Sequence, residues 1–204
     1  SFSIAKAGIG EGTEMGLLDS QMAWIDFGYL MAYAIGQFIW GITADRIGTR
    51  KVILSGMLVS ILSGVAMGVS TLPLALGVFF FIQGLCQSTG WAPLTKNVSN
   101  FFSQRERGTI MGMWCTNYAI GGVVASALAA WAASRWGYQY AFFVPAGVLL
   151  CIWFLFVFFQ RNRPEDVGLP SIEEYHGEKQ NTGVETDSKP EHSWANIISV
   201  VKDP

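Results

Sequence analysis

Asp26, Tyr29, Tyr33, Gln37 and Trp40 recur at intervals of three, four, four and three residues, which puts their side chains on one face of a helix. Gln83, Gln87, Trp91 and Thr95 recur in fours, and Trp114, Asn117 and Tyr118 cluster just ahead of Gly121 and Gly122. These are hydroxyls, amides and indoles, uncharged donors and acceptors suited to gripping the oxygens of a ligand. No nucleophile stands beside a base. His176 and His192 both fall in a polar tail, so no metal cluster is visible. Cys86, Cys115 and Cys151 lie in apolar runs without C-x-x-C spacing and read as small apolar fillers. The expected chemistry is reversible binding, with no catalytic residue, no cofactor and no metal.

The elements that position these residues are apolar. Of 204 residues 51% are hydrophobic and only 14% charged, with a mean hydropathy of +0.35. Soluble domains carry about 25% charged residues. No Lys, Arg, Asp or Glu occurs between Val52 and Thr95, and Arg135 is the one charge between Gly108 and Gln160. A bilayer core asks for roughly 20 apolar residues per helix, so the pattern predicts five spans, at about 21–40, 52–70, 74–95, 108–133 and 140–159. Helices are expected because backbone groups in lipid must pair within the segment. The net charge of −2 offers no basic field for nucleic acid.

Arg46, Arg50 and Lys51, then Lys96, Arg105 and Arg107, then Arg161 and Arg163 mark three basic loops. By the positive-inside tendency these face the cytoplasm, making this a multi-pass protein of the cell (inner or plasma) membrane. Five spans then put Ser1 outside, so a preceding helix is expected. Residues 1–160 read as a helical bundle and residues 161–192 as a polar, acidic cytoplasmic linker. In residues 193–204, Trp194, Ile197, Ile198 and Val201 share one face of an amphipathic helix.

In lipid, a polar helix face must turn toward protein or water. Tyr33 and Gln37 are assigned to a cavity wall. Asp26, nearer the outer edge, is assigned to packing against a preceding helix or to an outer gate, since a carboxylate repels an anionic ligand. Gln87, Trp91, Asn117 and Tyr118 complete the candidate path.

The polar loop "GITADRIGTRK", Gly41 to Lys51, resembles the major facilitator superfamily signature G-x-x-x-D-R-x-G-x-R-K. Gly41, Asp45, Arg46, Gly48, Arg50 and Lys51 match every fixed position. Physically, Gly41 permits close helix approach, Asp45 can pair with a base or with helix amides, and Gly48 permits a tight turn. The bases suit an anionic inner surface, so the loop reads as a gate at the cytoplasmic mouth. "GWAPLTKNVSNFFSQRERGTIMGMW" and "RPEDVGLPSIEEYHGE" are similar to segments of the organophosphate:phosphate antiporters within that superfamily. The resemblance implies an all-α membrane protein of the major facilitator fold, with twelve helices in two halves. This chain would hold the family's helices two to six and lead through 193–204 into the second half. It further implies exchange of a phosphorylated metabolite (a hexose phosphate, glycerol phosphate or phosphoglycerate) for inorganic phosphate by alternating access. The implied partners are those ligands, the lipid bilayer, and the rest of the same transporter, including helix one. A transporter-like sensor of sugar phosphate and a facilitator for another organic anion are the alternatives. Family members grip phosphate with arginines at positions outside this chain. Gln37 stands where some carry a Lys, Tyr118 where some carry a His, and Phe80 where a related motif, R-x-x-Q-G, carries an Arg.

Overall fold

A computed structural model describes residues 19–170 and 172–175. Its elements are α1 (Asp19–Ile47), α2 (Thr49–Val69), α3 (Pro73–Gln87), a 3-10 turn (Ser88–Gly90), α4 (Ala92–Ser99), α5 (Gln104–Trp136), α6 (Tyr140–Phe159), a second 3-10 turn (Pro164–Val167) and α7 (Ile172–Tyr175). There is no strand among the described residues.

Helix limits follow from local chemistry. Gly48 has φ +91° and reverses the chain between α1 and α2, a conformation that strains a residue with a Cβ. Pro73 opens α3, where its missing N–H costs nothing. Ser103 and Glu106 form a capping box at the start of α5, the Glu106 carboxylate accepting from the Ser103 amide at 3.1 Å. Gly137, at φ +106°, ends α5.

The segment 74–95, expected as one span, is interrupted. Pro93 cannot donate to the carbonyl of Thr89 and clashes with it. A 3-10 turn, Ser88–Gly90, replaces the α path there, and the Ser88 and Thr89 hydroxyls donate to the carbonyls of Leu85 and Cys86, at 2.6 and 2.8 Å. The interval Pro73–Ser99 is still long and apolar enough to cross a bilayer, as are Thr49–Val69, Glu106–Trp136 and Tyr140–Phe159. Helix α1, with 29 residues, extends about 44 Å at 1.5 Å per residue. Length permits it to span, but the tyrosines, Gln37 and Asp26 dilute its hydropathy. Four of the five expected spans therefore qualify by composition.

The helices pack in the spatial order α1, α3, α2, α6, α5. Glycines set the closest approaches. A Cβ on Gly84 would meet the Tyr29 carbonyl oxygen at 2.5 Å, and one on Gly56 the Thr89 hydroxyl at 2.3 Å. By contrast, nothing lies within 4 Å of a Cβ built on Gly41, Gly121 or Gly122. The close approach expected at Gly41 is absent among the described residues, and α5 runs unbroken through Gly121 and Gly122. Helices α5 and α6 turn most of their apolar surface outward. Cys86 is buried as expected of a filler, whereas Cys115 and Cys151 are exposed.

The start of the expected linker is packed: Pro164 is buried, and the Asp166 carboxylate accepts from the amides of Asn162 and Arg163. The expected amphipathic helix at 193–204 lies outside the described residues.

Candidate functional site

The polar face of α1 turns toward α3. The Tyr29 hydroxyl donates to Gln87 Oε1 at 2.8 Å. Its ring stacks on Phe80, with centroids 4.4 Å apart and planes 18° from parallel. Phe80 therefore supplies a ring against Tyr29, not the charge that an Arg would bring. Tyr33 follows one turn along α1, its ring 6.2 Å from that of Tyr29, with the Gln37 side chain beside its hydroxyl. Trp40, one turn further, is committed to structure: its indole N–H donates to the Leu85 carbonyl at 2.7 Å. Asp26 is half-buried and engaged in a contact of its own.

Tyr118 of α5 lies near Tyr29 and Tyr33, and its ring meets Trp91 edge to face at 6.0 Å. The helix break at Ser88–Gly90 thus sets Trp91 toward α5 while Gln87 stays with α1. Five of the six path candidates, Tyr33, Gln37, Gln87, Trp91 and Tyr118, come together between α1, α3–α4 and α5. Asn117 is exposed on α5 and forms no hydrogen bond among the described residues. Tyr118 is 75% exposed, so the cluster opens outward from this part of the bundle. No charged side chain joins it among the described residues. Its members can exchange hydrogen bonds with a ligand's oxygens and stack on its carbon face.

A second group lies where the three basic loops meet. Gly48 has no side chain to cap α2. Asn162, beyond the end of α6, does so from a distance: its Oδ1 accepts from the Arg50 amide at 2.8 Å and the Thr49 hydroxyl at 3.0 Å. Asn97 Nδ2 donates to Thr49 Oγ1, to the Arg161 carbonyl and to the Asn162 carbonyl, at 3.0, 2.9 and 3.3 Å. Asn100 Nδ2 donates to the Asn162 carbonyl at 3.2 Å. Arg50, read from sequence as facing the membrane surface, turns inward; its Nη2 donates to the Val157 carbonyl at 2.6 Å. Arg46 and Lys51 are exposed. Asp45 forms an ion pair with Lys96, and both are substantially exposed. Lys96, one of the loop bases in the sequence, is thus the base that Asp45 pairs with.

Sequence reasoning passed over Asn97, Asn162 and Thr49 because a lone Asn or Thr at a loop edge carries no periodic signal. The available hint was Gly48 itself, a helix start with nothing to cap it. Tyr29 was legible on the polar stripe but not singled out.

Comparison with known proteins agrees with this architecture. The profile of the Major Facilitator Superfamily matches residues 3–204. A probable hexose phosphate transport protein of Chlamydia muridarum is 30% identical over 81% of this chain and 36% of its own length. A glucose-6-phosphate exchanger of Bos taurus is 33% identical over 82% of this chain and 34% of its own. A glycerol-3-phosphate transporter of Bacillus subtilis is 29% identical over 81% of this chain and 38% of its own. The chain thus spans little more than a third of the length of these relatives.

Proposed function

Because the chain belongs to the major facilitator superfamily, we propose that it is part of a multi-pass carrier that exchanges a phosphorylated metabolite for inorganic phosphate. The observation that carries this reading is the meeting of Tyr33, Gln37, Gln87, Trp91 and Tyr118 between α1, α3–α4 and α5. Similarity to proteins named for hexose phosphate, glucose 6-phosphate and glycerol 3-phosphate directs it toward organophosphates. The activity requires the remaining helices, which close the far side of the cluster and carry the cations that phosphate demands.

In this reading the cluster is one wall of a central chamber near the bilayer midplane, reached alternately from each side. Tyrosine hydroxyls and the Gln37 and Gln87 amides replace water around the ligand, so desolvation is offset bond for bond. The loop Gly41–Lys51 lies at the cytoplasmic mouth of the cell membrane protein, with Asp45–Lys96 as a pair that forms in one state and opens in another. No bond is made or broken in the ligand, so the protein is a carrier and not an enzyme.

Counterflow tests the proposal. Vesicles holding the full-length protein and loaded with inorganic phosphate take up labelled hexose phosphate or glycerol phosphate against an empty-vesicle control. Absence of exchange with every phosphorylated ligand tried rejects it.

A further inference from the structure

One stripe of α3 is shaped around a single residue of α1. Phe80, Gly84 and Gln87, four and three residues apart, share a face of α3, and all three meet Tyr29. Phe80 stacks on its ring with centroids 4.4 Å apart. A Cβ on Gly84 would stand 2.5 Å from the Tyr29 carbonyl oxygen and 2.9 Å from Cδ2 of its ring. Gln87 Oε1 accepts from the Tyr29 hydroxyl at 2.8 Å. Backbone, ring and hydroxyl are thus each fixed by α3. The consequence falls on Gln87, the last residue of that helix. A glutamine amide has an acceptor end and a donor end, and a side chain of that length is free to present either unless something holds it. With Oε1 against Tyr29, Nε2 points the other way. Gln87 is exposed, and its Nε2 forms no hydrogen bond among the described residues.

We infer that Tyr29 is a positioning residue for the transported anion: it holds the Gln87 amide with its carbonyl turned into the protein and its two N–H groups turned to the ligand path. The inference rests on the proposed exchange function and adds a residue to it. The oxygens of an anion need donors, and a carbonyl oxygen in the same place repels them. An amide locked with its donor end outward before the ligand arrives avoids the ordering cost that a free side chain incurs on binding. Tyr29 thereby sets the polarity of a neutral wall without touching the ligand. Packing of α1 on α3 does not call for the hydroxyl, because a phenylalanine would keep both the stack on Phe80 and the close approach at Gly84.

The test uses the full-length carrier in vesicles, with Tyr29→Phe, Gln87→Met and the double variant. Tyr29→Phe removes the hydroxyl alone. Expected is a rise in KM of about three- to tenfold for both glucose 6-phosphate and inorganic phosphate, with the maximal exchange rate close to wild type. Gln87→Met should raise KM at least as much, and adding Tyr29→Phe to it should change KM no further. A hydroxyl that serves packing alone would lower the maximal rate and leave KM in place. That result, a wild-type KM, or penalties that multiply in the double variant overturns the assignment while leaving exchange by the wild type standing. If Gln87→Met yields no folded carrier, Tyr29→Phe decides by the same split between KM and maximal rate. Should the wild type exchange nothing, the carrier reading falls, and binding of glucose 6-phosphate to the purified full-length protein decides the role of Tyr29. Binding weakened by Tyr29→Phe only while Gln87 is present supports it; binding that is absent, or indifferent to Tyr29→Phe, overturns it.

Discussion

Replacing Asn162 with alanine isolates the remote cap on α2. The side chain accepts two hydrogen bonds, from the Arg50 amide and the Thr49 hydroxyl. Its backbone carbonyl, which receives Asn97 and Asn100, is untouched. The loss is therefore one helix cap plus one side-chain bond at a partly buried site, and Gly48 has no side chain to substitute. Cap removal costs about 0.5–2 kcal/mol, and a lost hydrogen bond about 0.5–1.5 kcal/mol. A central figure is about 2 kcal/mol. For a unit of 150–250 residues each kcal/mol moves Tm by about 2–4 °C, so melting of the full-length protein in detergent falls by about 4–8 °C. Thr49→Val sharpens the test, because Thr49 Oγ1 both donates to Asn162 and accepts from Asn97. The double variant should be less destabilised than the sum of the single ones by about 0.5–1 kcal/mol. An Asn162→Ala protein melting within about 1 °C of wild type, or strict additivity with Thr49→Val, refutes the remote cap.

The glycine contacts divide cleanly. Gly84→Ala drives a methyl into the Tyr29 carbonyl and should lower stability by about 1–3 kcal/mol, whereas Gly122→Ala meets nothing among the described residues and should gain up to about 1 kcal/mol from helix propensity; thermal melting of both reads the contrast. The Asp45–Lys96 pair is exposed and worth no more than about 1 kcal/mol to stability. Asp45→Asn and Lys96→Gln should therefore leave melting almost unchanged while altering counterflow rates, and the swapped protein, Asp45→Lys with Lys96→Asp, should recover part of the rate. Arg50→Gln should instead lower the melting temperature, since Nη2 no longer reaches the Val157 carbonyl.

The span pattern was legible because lipid forces it: long uncharged runs between basic loops have few other solutions, and the limits of α6 coincide with the sequence expectation. The polar stripe of α1 was legible because three- and four-residue spacing is what a helix face requires. The break in the third span was harder. Ser88, Thr89, Gly90 and Pro93 each sit in sequences of continuous membrane helices too, and only the 3-10 turn at Ser88–Gly90, with Trp91 at φ −106°, ψ −78°, shows the chain leaving the α path there. The spacing of Gln83, Gln87, Trp91 and Thr95 in fours consequently described a stripe that does not continue as one face. The knot around Asn162 was invisible for a different reason. Its members come from positions 48–50, 97–100 and 161–162, and nothing local announces a contact across more than sixty residues.

The two polar groups at the basic end differ in what they can do during a transport cycle. Releasing Asn162 and Asn97 breaks at least five hydrogen bonds, at about 0.5–1.5 kcal/mol each, and uncaps α2. Opening Asp45–Lys96 exposes two groups that water already reaches, at no more than about 1 kcal/mol. Helix α5 is tied to the same end by Arg107, whose Nε donates to the carbonyls of Ser99 and Phe102 at 3.2 Å. The ends of α2, α4, α5 and α6 there are thus fastened to one another. On the proposed function, the ligand chamber opens and closes by motion of this bundle as a body against the rest of the carrier. The ion pair is the contact weak enough to change with each turn, and the asparagine knot is what keeps the binding wall intact while it does.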